Sequence, residues 1–457
     1  MNVVKKKFAY ASVAAVMALS SMISGCGSDS VAQPATTATL LYTSDAHYGI
    51  KRAAAYAFSG YSNAQQVNSA MVSVMNTMPT VKLPSDGGVN AGAVIGSINY
   101  VVQGGDISNR MQADPTSGYA QIQPAWDSWN QFNSGFIGTL KFPTLLFAGN
   151  HDVSNAIGYN NGSASATKPL NNGSGPNTFD GTVMATLYNL FVKSGTFDTS
   201  TKAAAQASYN FSTYQDPANK VYYSRDIAGV HFMFISMWPD LDAQAWMEKD
   251  LATISSTTPA VIMTHDQPDT EAKHLTDPTS PVAATMWTAG FENLLVNVSP
   301  TATTATSDTI AAQRTFVRFL QRHKNIVAYF HGNTNYNDLG TCDANGNKLT
   351  GDPLNTTGCY KGPDPVSNPV YLPWFRVDSP MKGEATGVNA KTSSCTSAAA
   401  GIVVGGTCVD TDRLSYQVIS IDSTAKMMTV REYRWKTGTF GSDTGSVATV
   451  GLTPRIK

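Results

Sequence analysis

An α/β fold is the class this sequence predicts, on three observations. Five short apolar runs each end in a polar cluster, helical patterns separate some of the runs, and the polar clusters fall where strands would end. Runs of four or five apolar residues without alternation suit strands buried on both faces, as in parallel sheets. Open α/β sheets place their ligands at the carboxyl ends of such strands.

The runs come in this order. Residues 39–43 lead into Ser44-Asp45-Ala46-His47, and 98–102 into Gly104-Gly105-Asp106. Residues 144–147 lead into Gly149-Asn150-His151-Asp152, 260–263 into Thr264-His265-Asp266, and 326–330 into His331-Gly332-Asn333-Thr334-Asn335. Val67, Met71, Val74, Met75 and Met78 mark one helical face before the second run. Before the fifth, Asp308 is expected to cap a helix carrying Phe316, Phe319 and Leu320, with the Thr/Ala tract 301–307 as the loop ahead of it. Residues 229–237 predict a further strand, followed by a helix through Gln244, Trp246, Met247 and Leu251. Two alternating runs, 414–421 and 427–433, flank Asp422-Ser423-Thr424 and predict a hairpin. The Gly/Asn/Ser-rich stretch 155–178 follows Asp152 directly and is expected to form part of a site rim.

The chain begins with an address. Lys5, Lys6 and Lys7 precede an apolar stretch from 8 to 23, short of the roughly 20 apolar residues a spanning helix needs. Ile23-Ser24-Gly25-Cys26 resembles a bacterial lipobox, which implies cleavage before Cys26 and lipidation of its thiol; the alternative is an ordinary secretory leader. Residues 1–25 then form a lipoprotein signal peptide and 26–38 a small-residue tether. The expected location is a bacterial membrane's periplasmic or outer face, with the lipid as the membrane contact. Four cysteines remain, Cys342, Cys359, Cys395 and Cys408, and an exported chain favours disulfides over a thiol or zinc site. Three pairings are open; nearest-neighbour pairing closes loops 342–359 and 395–408.

Composition narrows the function. The 457 residues carry 31 Lys+Arg and 32 Asp+Glu, a net charge of -1, so no basic face is expected for a nucleic-acid polymer. Charged residues are only 14% of the chain and histidines number 7, so the few acids and histidines at strand ends stand out. No nucleophile elbow, P-loop or Rossmann glycine pattern occurs.

Taken in order, Asp45-x-His47, Gly105-Asp106 with Arg110, Gly149-Asn150-His151-Asp152 and His265 resemble the calcineurin-like metallophosphoesterase superfamily. The resemblance covers about residues 38 to 338, with Gly-Asn-His-Asp its most specific part. It implies a four-layer α/β/β/α sandwich: a core over 39–338, a Cys-containing insertion over 339–413, and a C-terminal hairpin over 414–457 that completes the core. It also implies two divalent metal ions as cofactors. Asp45 and His47 would bind the first, Asp106 would bridge both, and Asn150 and His265 would bind the second. His151 would be the general acid, oriented by Asp152, and Arg110 either a phosphate contact or a scaffold salt bridge. The implied reaction is hydrolysis of a phosphate mono- or diester by a metal-bridging hydroxide, the partner a small phosphoester.

The fifth block departs from the family. Gly-His-x-His is expected, but Gly332-Asn333-Thr334-Asn335 puts Asn in both His positions. An alternative register assigns His331 and Asn333 and loses the Gly match. If Asn333 and Asn335 offer carbonyl oxygens, with His331 entering from beside them, the site favours Mn, Mg, Fe or Ca over Zn. The competing expectation is a non-catalytic lipoprotein binding module with a degenerate site. His231 is expected to be structural, and His274 and His323 to lie at the surface. Trp374-Phe375-Arg376 would either overhang the site and touch the substrate's organic part or pack the core under the hairpin.

Overall fold

The computed structural model describes residues 35–50, 63–108, 125–153, 220–271, 274–275, 295, 305–334, 337–349, 358–380, 402–404, 407–409, 414–441 and 447–457. The leader, Cys26, Arg110, the 155–178 stretch, Asn335 and Cys395 lie outside these residues, as does the side chain of Cys408.

All five apolar runs are strands. β1 (Thr37–Thr43), β2 (Tyr100–Gln103) and β3 (Thr144–Leu146) pair in parallel. After β4 (Tyr222–Ile227), β5 (Val230–Ile235), β6 (Ala260–Met263) and β7 (Ile326–His331) form a second parallel set. Next come β8 (Asp338–Gly340), β9 (Trp374–Arg376), and the small ribbon of β10 (Ile402–Val404) with β11 (Thr407–Val409). The chain closes with β12 (Ser415–Asp422), β13 (Met427–Arg434), β14 (Thr439–Phe440) and β15 (Val447–Gly451). The first sheet runs β14-β13-β12-β1-β2-β3, with β15 beside β13; the second runs β4-β5-β6-β7-β9-β8. The fold is therefore mixed α/β on two sheets. The antiparallel β12–β13 pair, with Ser420 opposite Thr429, attaches to the first sheet through β1.

The helices fill the connections. α1 (Ala64–Met75) starts where the Asn63 side chain accepts the Gln66 N–H at 3.0 Å, and buries Val67, Met71 and Met75 against the first sheet, with Thr43 Oγ1 reaching Met71 Sδ. α2 (Ala125–Phe132) runs on into a π-helical turn over Asn133–Ile137. α3 (Asn150–Val153) is one turn long, and α4 (Leu241–Leu251) is capped by Asp240 accepting from Ala243. α5 (Ala305–Arg322) lays Phe316 against Tyr329 and Trp238, ring centroids 6.1 and 5.4 Å apart. Truncating a buried ring of this kind costs about 3–5 kcal/mol. The sheets meet through Tyr42, edge-on to Phe330 at 5.8 Å, and through Tyr223, whose hydroxyl donates to the Leu146 carbonyl at 2.9 Å.

Four expectations are corrected or decided. α5 is helical from Ala305, so residues 305–307 are helix, not loop, and Asp308 lies within the helix instead of ahead of it. Trp374-Phe375-Arg376 is a buried strand that packs the second sheet between β7 and β8, and Gln417 of the hairpin donates to the Arg376 carbonyl. His274 is not at the surface: it is fully buried because Asp266, 2.7 Å from its Nδ1, supplies a charged partner. Of the possible disulfides, Cys342–Cys359 is formed.

His231 is structural. Its ring nitrogens lie 2.7 Å from Asp226 and 2.8 Å from Asp250, and although burial disfavours the charged ring, Asp250 and Asp226 raise its pKa above the ordinary value. A raised folded-state pKa contributes stability in full below the unfolded value near 6.5, lost as pH rises through the folded value. A His231→Gln variant should therefore fall furthest below the parent protein in thermal melts at pH 6, with the gap shrinking by pH 9. A gap independent of pH would refute the charged bridge.

Candidate metal centre

The end of β1 turns sharply. Asp45 and His47 have φ values of 56° and 45°, and Asp106, beyond β2, has 50°. Left-handed backbone costs a non-glycine residue of order 1–3 kcal/mol and persists only where the surroundings enforce it. Here the N–H groups of Asp45, His47 and Tyr48 donate to the carbonyls of Gly105, Asp106 and Ile107 at 2.8–2.9 Å. That ladder carries β1 and β2 past their strand ends and brings the three side chains to one point.

The end of β3 supplies the next pieces. A Cβ on Gly149 would land on Asp106 Oδ1, so only glycine lets the strand end approach this closely. The His151 N–H donates to the same oxygen at 2.7 Å. Asp152 accepts from the N–H groups of Gly149, Ile107 and Ser108 and from the Ser108 hydroxyl. These four donors make Asp152 the clamp between α3 and the Asp106 turn.

From β6, His265 extends toward Asp106. Its Nδ1 donates to the Gly104 carbonyl at 2.8 Å, which aims Nε2 at Asp106 Oδ1 (3.3 Å) and Asn150 Oδ1 (3.1 Å). Burial pulls the His265 pKa down, but the Asp106 carboxylate overrides it and the pKa rises to about 10. Burial in turn pushes Asp106 up, and His265, His151 and His47 together hold it well below the usual carboxylate range.

Asp106 divides its oxygens. Oδ1 faces His265, while Oδ2 lies 3.6 Å from His47 Nε2 and 3.8 Å from His151 Nε2. Two triads result, His47–Asp106–His151 and Asp45–Asp106–His265, each with its ligand atoms within 4.8 Å of one another. His151 also meets His47 edge to face, ring centroids 4.7 Å apart. Its side chain is 8% exposed, whereas those of His47 and His265 are 0%, so His151 stands at the outer edge.

The fifth block is arranged differently. Asn333 (φ 66°) donates its backbone N–H to Asp45 Oδ2 at 2.9 Å, and a Cβ on the preceding Gly332 would collide with that same oxygen. The Asn333 amide nitrogen turns to Asp266 (2.9 Å), Glu271 (3.2 Å) and Gln267 (3.3 Å). His331 is fully buried and stacked on Trp374 at 5.3 Å, and burial with Arg376 beside it pushes its pKa down to about 3, a neutral ring. His331 belongs to neither triad.

Two supporting residues gave no usable signal in the sequence. Asp266 follows His265 and grips His274, Thr270 and Asn333; despite burial, His274 holds it below the usual carboxylate range. Ser379 donates its hydroxyl to the Asp45 carbonyl at 2.7 Å across 334 residues of chain. Such a contact leaves no local pattern.

The donor set fits divalent cations. Carboxylate, imidazole and amide oxygen converge in a buried space, and Asp45 Oδ1, 3.6 Å from His47 Nε2, accepts no hydrogen bond among the described residues, so a buried acceptor faces the cluster unsatisfied.

No protein-family model and no curated protein matches the sequence. Among solved structures, a dimetal phosphatase from Danio rerio aligns over 91% of this chain and 99% of its own length, at 8% identity and a TM-score of 0.38. At that likeness the residues of the site, not the neighbour, carry the chemistry.

If Asp106 serves both triads, Asp106→Ala should abolish tight Mn²⁺ binding in calorimetry while the far-UV spectrum is retained; unchanged affinity would overturn the assignment. Gly149→Ala, which displaces the carboxylate without removing it, should weaken binding by roughly 10–100-fold.

Proposed function

We propose that this chain is a metal-dependent phosphoesterase that hydrolyses a small phosphate mono- or diester. The observation that carries this is the convergence of Asp45, His47, Asp106, Asn150, His151 and His265 from four strand ends onto one buried cluster. Sequence order supports it too, because these blocks follow the succession the resemblance calls for.

A pair of divalent ions, of the Mn, Mg, Fe or Ca kind, would supply Lewis acidity toward phosphoryl oxygens and lower the pKa of water. Asp106 would be shared between the ions, with Asp45, His47, Asn150 and His265 completing the ligand set; Asp45 stands between the two sides, 3.6 Å from His47 Nε2 and in one triad with His265. The Gly104 carbonyl keeps His265 in the orientation that presents Nε2, and the Asn333 N–H keeps Asp45 from rotating away. His151, the outermost ring of the group, is placed to protonate the leaving-group oxygen; its backbone is fixed by the bond to Asp106 and its turn by the Asp152 clamp. Arg110 is proposed to contact the phosphate, and Asn335 to offer the fifth block's amide oxygen. The four-layer sandwich, export and a lipid on Cys26 belong to the same proposal. No helix among the described residues is long and apolar enough to cross a membrane.

A panel of aryl and alkyl phosphoesters, run with Mn²⁺, Mg²⁺ and Ca²⁺, tests the activity. Turnover should require added metal. His151→Asn should lower kcat by roughly 10²–10⁴-fold while Mn²⁺ affinity is retained. Metal binding without turnover of any ester would sink the enzymatic proposal.

A further inference from the structure

Beside the metal centre lies a cavity of about 420 Å³ whose lining includes Gln267, Asp269, Tyr360, Lys361, Trp374 and Arg376. That volume is in the range that encloses a small organic molecule. One residue separates it from the cluster. Asn333 holds Asp45 with its backbone N–H and reaches Gln267, in the cavity lining, with its amide, and Thr334 next to it lines the cavity too.

The walls are braced. Cys359 is tied to Cys342, and Tyr360 exchanges backbone hydrogen bonds with Leu372. Asp364 receives a two-pronged bond from Arg314 of α5 at 2.8 and 2.9 Å. Arg376 is held by Asp338 and Thr334 and lies over the Trp374 ring at 5.3 Å, while the indole N–H donates to the Gly358 carbonyl. A cavity held open before a ligand arrives does not have to be ordered on binding. Lys361, by contrast, has no ion-pair partner among the described residues. Aromatic and proline side chains with Lys361 among them in the lining suit a planar ring bearing a polar or anionic substituent.

We propose that this cavity is the subsite for the leaving group, and that it selects phosphoesters of aromatic alcohols carrying a polar substituent. The proposal rests on the phosphoesterase function above, so its test has two arms. In the first, 4-nitrophenol is titrated into full-length, metal-stripped protein by calorimetry. It should bind saturably, and Lys361→Met should weaken binding roughly tenfold, as expected for one charge-assisted contact. Lys361→Glu should weaken it further, and unchanged Mn²⁺ affinity would show both variants folded. In the second, with Mn²⁺ restored, Lys361→Met should lower kcat/KM for 4-nitrophenyl phosphate by a similar factor and leave methyl phosphate within about twofold. Equal 4-nitrophenol affinity across the three proteins, or equal loss for both esters, overturns the subsite even if turnover is robust. Binding that responds to Lys361 with no ester turned over instead overturns the phosphoesterase function and, with it, the leaving-group role.

Discussion

The structure turns on one carboxylate that faces two ways. Asp106 is 1% exposed, and each oxygen is committed to a different group of ligand atoms. A buried charge costs several kcal/mol unless it is compensated, and here the surroundings are shaped to keep it charged. The left-handed turn at Asp106 and the missing side chain at Gly149 bring it within reach of three imidazoles. The neighbouring acid takes the opposite course: burial and the Asp106 charge push Asp152 up to about 7 despite its backbone donors. Two carboxyls from neighbouring strand ends thus divide the work, one holding charge and one holding backbone.

The same constraint ties the two sheets together. Asp45 stands at the end of a first-sheet strand, yet its carboxylate is held from the end of β7 by Asn333 and its carbonyl from beyond β9 by Ser379. The cluster therefore needs both sheets correctly packed before its ligand atoms meet. It follows that Tyr42 against Phe330, a contact of pure core packing, also sets the spacing of residues that would hold cations. Packing interiors at crystal-like density transmit such displacements instead of absorbing them.

What the sequence revealed and what it hid divide along physical lines. Strands buried on both faces are continuous apolar runs, so β1, β2, β3, β6 and β7 could be read directly, and with them the polar residues that follow. Ligand types at strand ends carry their chemistry in their names, which is why Asp45, His47, Asp106, Asn150 and His265 were visible. Partnership across distance was not. His274 sits among polar neighbours in sequence and looks exposed; only the fold gives it Asp266. The three-residue β9 is too short for alternation to register, and its place between β7 and β8 is a property of the sheet. The start of α5 was misplaced because Asp is preferred at caps but not confined to them.

The two asparagines of the fifth block gain a physical account at position 333. An amide, unlike an imidazole, brings two donors on one nitrogen and no titratable charge. The Asn333 nitrogen meets Asp266, Gln267 and Glu271, a set of acceptors that rewards donors. Asp266 is joined to His265 through the backbone and to His274 and Asn333 through its carboxylate, so it couples the fourth and fifth blocks into one unit. The residue that departs from the expected ligand pattern is thereby fixed from both sides: its main chain restrains Asp45, and its side chain completes the acidic cluster behind His265. On this geometry Asn333 acts on the cluster by holding other residues in place.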